Sequence, residues 1–269
     1  MKKLYIIGCI ISVFMLTFIF VILPFTKTSE KKPDLPFVDK EMENTLINSA
    51  IHYEIIDEKE EFTTECLEQL DCLNIGYTGY YTTLEDVKFC KNIHTLRIGI
   101  PETRSGDIYW RKWCVKPKPE CGERVLQIQE ELGEILQGCN QLSGLYICND
   151  EGTCEFESLD FLKYGNNLTA LWLWEQKDLD YSSIYINCPN VFILDLRYCD
   201  ISDLKGIGEM QKLEILDIRY TNICEAGDIV NLKQLRELDV YGTPLAENEE
   251  ELAIIREKIP NIVINMDSY

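Results

Sequence analysis

The chain has 269 residues, room for one large domain or two small ones, and 46% of them are apolar, enough to bury a sizeable core. Its formal net charge is −20. So acidic a surface repels phosphate backbones, which makes nucleic acid an unexpected partner.

Residues 4–23, "LYIIGCIISVFMLTFIFVIL", carry no charge. At 1.5 Å per residue such a stretch spans about 30 Å, the thickness of a bilayer's hydrocarbon core, and it exceeds the apolar run of a cleaved signal peptide. Residues 1–25 are therefore expected to be a membrane anchor or signal segment, with membrane contact through residues 4–23. The remainder is expected outside the cytoplasm at the cell surface, or secreted if the segment is cleaved. Residues 26–36, "TKTSEKKPDLP", read as a solvated linker. In residues 37–69, Met42, Leu46, Ile47, Ala50 and Ile51 make one apolar helix face behind Asp39 as N-cap, and a second helix is entered at Thr63 or Thr64.

The centre of the chain repeats itself. "VFILDLRYCDI" from Val191, "LEILDIRYTNI" from Leu213 and "LRELDVYGTPL" from Leu235 start 22 residues apart. Apolar residues fall at positions 1, 4, 6 and 11 of each strip. Positions 4 and 6 alternate with polar ones, the period of a short strand with one buried face. Matching strips start at Leu70, Ile93, Leu142 and Leu168. A fixed step of 20–29 residues implies stacked units, none able to bury its apolar face alone.

The pattern resembles the leucine-rich repeat, L-x-x-L-x-L-x-x-N-x-L, and most closely the 22-residue class of bacterial cell-surface, internalin-like proteins. The resemblance implies an α/β solenoid: a horseshoe of about seven repeats over residues 70–245, with a parallel concave sheet. It also implies a helical N-terminal cap over 37–69 and a helix-strand C-terminal cap over 246–269, with a helix near 248–257 and a last strand at Ile262–Ile264. The family's ninth position is usually Asn. Here it holds Thr78, Asp150, Gln176, Cys199, Thr221 and Thr243, so a less regular coil is expected. Between Ile93 and Leu142 the spacing is too long for one repeat. The excess reads as an insertion near 101–124 followed by a helix over "RVLQIQEELGEILQGC". The insertion is a basic island with Trp110, Arg111 and Trp113, a candidate binding element, and Cys114 with Cys121 is its candidate disulfide.

Cys90, Cys139 and Cys188 each stand three residues before a repeat start, where Met210 and Leu232 stand later, so they read as small core residues. Cys148 with Cys154 is a second candidate bridge.

Positions 3, 5, 7 and 8 are expected on the concave face. They bring together Tyr146, Trp172 and Trp174 at one end, and Asp195, Arg197, Tyr198, Asp217, Arg219 and Tyr220 at the other. Trp, Tyr and Arg dominate interface hot spots. The expected function is a non-enzymatic ectodomain that binds a protein or peptide, with a glycan as a further ligand class. A structural subunit of a membrane-associated complex is the alternative. No nucleophile elbow, phosphate loop or zinc motif occurs, and neither a cofactor nor a metal is expected.

Overall fold

A computed structural model describes residues 36–99, 124–149 and 154–267, without the side chains of 124–126. The anchor over 1–25, the linker, most of the insertion with Trp110, Arg111, Trp113, Cys114 and Cys121, and Asp150 lie outside the described residues.

Eight short strands form one parallel, unclosed sheet in sequence order. They are β1 Cys72–Gly76, β2 Thr95–Ile98, β3 Gly144–Cys148, β4 Ala170–Trp174, β5 Ile193–Asp195, β6 Ile215–Asp217, β7 Glu237–Asp239 and β8 Val263–Asn265. The last begins one residue after the expected Ile262. Parallel neighbours require a crossover between successive strands. Between β2 and β3 the return is α3, Arg124–Gly138; between β4 and β5 it is α4, Ser182–Asn187. Between β7 and β8 a 3₁₀ turn, Pro244–Glu247, leads into a helix, Glu249–Lys258, and elsewhere the return is a short 3₁₀ segment, such as Asp160–Asn167, Ile207–Glu209 or Gly227–Asn231.

The core consists of columns. Position 1 of the strips contributes Leu70, Ile93, Leu142, Leu168, Val191, Leu213 and Leu235, all buried. Positions 4 and 6 add Leu145 and Ile147, Leu171 and Leu173, Leu194 and Leu196, Leu216 and Ile218, again buried. Because side chains alternate across a strand, the same columns fix positions 5 and 7 on the opposite, concave face. The position three residues before each repeat start is also a core column: Leu67, Cys90, Cys139, Gly165, Cys188, Met210, Leu232. The expected role of the three cysteines there holds. Of the other candidate pair, Cys148 and Cys154 are both buried.

At the N-terminal end, α1 spans Lys40–His52 and α2 Thr64–Gln69. Asp39 caps α1 by accepting from Met42 N at 2.8 Å, and its other oxygen accepts from the Thr82 hydroxyl at 2.6 Å. Asp86, fully buried, accepts from the backbone of Val38 and Asp39. Two carboxylates thus tie the first helix to the first repeat. Burial alone would raise the Asp39 carboxyl, but Thr82 and three backbone N–H groups outweigh it and hold it below the ordinary value. At the other end α5, Glu249–Lys258, is capped by Asn248, which accepts from Glu251 N.

The ninth-position side chains do not share one bonding pattern. Gln176 reaches into the preceding turn, donating to Cys154 O at 2.9 Å and accepting from Phe156 N at 3.1 Å. Thr221 and Thr243 are too short for that and donate instead to the carbonyls of Ile218 and Val240 in their own turns. The Cys199 thiol contacts Leu173 O at 3.1 Å.

Candidate binding face

Position 5 forms one unbroken row across all eight strands: Asn74, Arg97, Tyr146, Trp172, Asp195, Asp217, Asp239, Asn265. Adjacent strands lie about 4.8 Å apart, so consecutive members touch. Between an asparagine at each end, the row divides into a cation, two aromatics and three carboxylates.

The aromatic part is internally stacked. Tyr146 lies on Trp172 with centroids 3.7 Å apart and planes 8° from parallel, and the Arg97 guanidinium sits 4.9 Å from the Tyr146 ring centre. One pleat on, the Arg197 guanidinium lies 4.3 Å from the Trp174 ring centre. Such contacts are worth roughly 0.5–2 kcal/mol each. Both tryptophans are half-buried rather than freely exposed, because each has a stacking partner. Among the described residues, the buried N–H groups at Arg97 Nε and Trp174 Nε1 find no hydrogen-bond acceptor.

The acidic part is a floor. Asp195, Asp217 and Asp239 are neighbours as expected, but they are 3%, 5% and 8% exposed, so a ligand would meet the arginines above them first. Arg197 donates to Asp195 at 2.6 Å and reaches Asp217 at 3.2 Å; Arg219 donates to Asp217 at 2.6 Å. Asn265 closes the row by donating to Asp239. Burial pushes the Asp195 carboxyl up, against the hydrogen bonds from Arg197, and Asp217 beside it pushes the same way. Asp239 is likewise raised by burial. Arg219 is raised by its hydrogen bonds to Asp217. Like charges in a column are tolerated because the guanidiniums interleave with them.

Position 8 carries the most exposed aromatics. Glu175, Tyr198, Tyr220 and Gly242 occupy it in four successive repeats, and all have left-handed backbone, with φ of 61°, 60°, 59° and 72°. Glycine is comfortable there, whereas a bulky residue is strained. Tyr198 and Tyr220 nevertheless hold the place, 47% and 40% exposed. Gly242 is needed beside them, since a Cβ there would lie 2.7 Å from the Tyr220 ring. Tyr241 then meets Tyr220 edge-on at 5.3 Å.

Two expected surface positions are corrected. Cys148 and Asn149, at positions 7 and 8 of the third strip, are 0% and 2% exposed. Asn149 does the ladder's work one place early, donating to Glu175 O at 2.9 Å and accepting from Cys154 N at 3.0 Å. Sequence reasoning placed Tyr241 on the face, as the seventh residue of "LRELDVYGTPL", and missed Arg97, whose position as the fifth of "IHTLRIGI" was the available signal.

Comparison with protein-family models gave no match, and comparison with curated proteins gave none. Solved structures do match. Internalin C2 from Listeria monocytogenes aligns with a TM-score of 0.52 at 16% identity, over 86% of this chain and 94% of that one. A complex of TLR13 with ssRNA13 aligns with a TM-score of 0.52 at 17% identity, over 77% of this chain and 30% of that one. Identities this low speak to fold, and the fold agrees with the columns above: the chain is a leucine-rich-repeat solenoid.

Proposed function

We propose that the chain is a non-enzymatic binding module whose concave face receives a protein or peptide. The observation that carries this reading is the Tyr198–Tyr220 pair. Two large aromatics stand half-exposed on backbone that would prefer glycine, so stability alone does not account for them. Around them lie Arg197, Arg219 and Tyr241, and toward the other end Trp172, Trp174, Tyr146 and Arg97. These are hot-spot residue types, preorganised by stacking, so little side-chain entropy is left to lose on binding.

Presentation at the cell surface, with residues 4–23 as the anchor, belongs to the same proposal. Its support is the charge-free length of that stretch. A glycan would also use aromatic platforms, but the buried carboxylates leave few acceptors for sugar hydroxyls at the acidic end, which favours a polypeptide.

Photo-crosslinkers placed at positions 198 and 220 test the site, with one at Ile186, 75% exposed on α4, as control. A polypeptide crosslinked from 198 and 220 but not from 186 supports the reading. Capture from 186 alone, or a ligand retained after Tyr198→Ala and Tyr220→Ala, overturns it.

A further inference from the structure

The two ends of the sheet are finished differently. At the first, α1 packs against β1, and Leu73 and Ile75 are buried. At the other, β8 is the outermost strand among the described residues. The position-4 core column is fully buried from Leu73 to Leu238, yet its last member, Ile264, is only half-buried. Beside it Val263 is 56% and Met266 39% exposed. Residues 262–266 carry no charge in a chain that is 27% charged, although open edges are ordinarily defended by charge or proline.

The backbone bonds fix which groups face outward. Val263 N donates to Arg236 O at 2.8 Å, and Asn265 O accepts from Val240 N at 3.0 Å, so both residues turn their backbone toward β7. Successive residues of a strand turn theirs to opposite sides, so the N–H and C=O of Ile264 point to the open edge. Ile264 of a second copy, run antiparallel, matches both groups, since two residues directly opposite can exchange both bonds about a two-fold axis. That register sets Ile262 opposite Met266 of the copy, apolar on apolar, and Val263 opposite its Asn265, with no like charges opposed. Moving the axis to Val263 would need the Ile262 N–H, which is already given to Ile259 O. Moving it to Asn265 would set Val263 opposite Asp267. Charge complements the register. Arg256 and Lys258 close α5 ahead of the strand, Asp267 follows it, and an antiparallel copy brings each end beside the opposite one. The uncharged edge is also where two chains of net charge −20 approach with least repulsion.

We infer that β8 is a self-association edge: two copies of this chain pair antiparallel through Ile264, joining their sheets. The strand is short, so the contact falls well under the ~800 Å² per partner of a standard interface, and the dimer is weak and concentration-dependent. An isologous contact closes at two. The inference is independent of the ligand proposed for the concave face.

Sedimentation velocity of the full chain in mild detergent, over about a hundredfold range of concentration, tests it. A reversible monomer–dimer equilibrium is expected, with no larger species. Ile264→Pro removes the outward N–H and none of the bonds to β7, and proline suits an edge position of that kind. It should weaken the dimer about tenfold or more, as should Val263→Lys, which sets a charge on the edge. Ile186→Lys, on the 75% exposed site of α4, should leave it unchanged. A photo-crosslinker at position 266, in a mixture of isotope-labelled and unlabelled chains, should join one chain to the Ile262 peptide of the other. An unchanged unfolding midpoint for Val263→Lys separates lost pairing from lost fold. A monomer at every concentration, a dimer indifferent to both edge variants, or capture at 266 of a different polypeptide while the purified chain stays monomeric overturns the inference.

Discussion

The rings of Tyr198 and Tyr220, one repeat apart, lie 4.4 Å from each other with planes 6° from parallel. Each Cα sits in the left-handed region, where a non-glycine residue is strained by about 1–2 kcal/mol. A stacked pair returns about 0.5–1.5 kcal/mol. Relief of both strains, about 2–4 kcal/mol together, is offset by the lost stack and by the unfolded-state entropy of two new glycines, about 0.4–1 kcal/mol each, so the double substitution Tyr198→Gly, Tyr220→Gly should leave stability within about 2 kcal/mol of the parent. Ligand affinity should fall about tenfold or more. Urea denaturation beside a binding titration checks both halves. A large loss of stability would make the pair a structural staple instead.

Arg197 should matter most near neutral pH. Removing it leaves Asp195 buried with its chief counter-charge gone. Arg197→Ala should destabilise by about 1–3 kcal/mol, below the figure for a fully buried pair because the Arg197 side chain is 26% exposed. Folding already raises the Asp195 carboxyl above its ordinary value, and loss of Arg197 raises it further. The folded state then binds that proton more readily than the unfolded one, so the deficit shrinks as pH falls through the raised value. Denaturation at pH near 7 and near 5 should show a smaller penalty at the lower pH. Adding Asp195→Asn should recover part of the loss at neutral pH. A penalty that grows on acidification would sink this account.

The repeats were legible because the period-22 spacing and the period-2 alternation both act through burial, which leaves its mark at every strip. Leu194, Leu216 and Leu238 are written in the sequence as core, and they are core. The fate of the position-5 aspartates was not legible, since depth depends on what lies above. Arg197 and Arg219 fold back over the acids two residues earlier, a choice of rotamer that spacing does not encode. The same holds for Asn149. A strip counted from Leu142 places it on the surface. Its side chain serves two backbone partners at once and is drawn inside.

Gly165 occupies the same core column as Cys188, one repeat earlier, and a Cβ on it would lie 2.8 Å from the Cys188 sulfur. The glycine makes room for the thiol. Gly165→Ala should therefore overpack the column and cost about 1–3 kcal/mol. Cys188→Ala alone leaves a small void. Together the two should be less damaging than the sum of the singles, with a coupling of about 0.5–2 kcal/mol in a double-mutant cycle. Simple additivity would mean that the neighbouring Leu168 and Leu162 side chains, rather than the sulfur, set the limit.

Burial also orders the thiols by reactivity. It pushes Cys90 and Cys188 up to about 12 and Cys199 to about 11, while Cys224 is exposed. Because the thiolate is the nucleophile, a group near 12 presents about one part in ten thousand as thiolate at pH near 8, and its sulfur is out of reach besides. Iodoacetamide added to the native chain should mark Cys224 early and leave Cys90, Cys188 and Cys199 untouched until the fold is opened by denaturant. Peptide mapping reads this directly. The same map tests the proposed Cys114–Cys121 bridge: both should resist alkylation in denaturant and yield only after reduction. Modification of Cys188 in the folded chain would contradict the column packing on which the Gly165 prediction rests. Modification of Cys114 and Cys121 without reductant would remove the bridge and leave the solenoid as described.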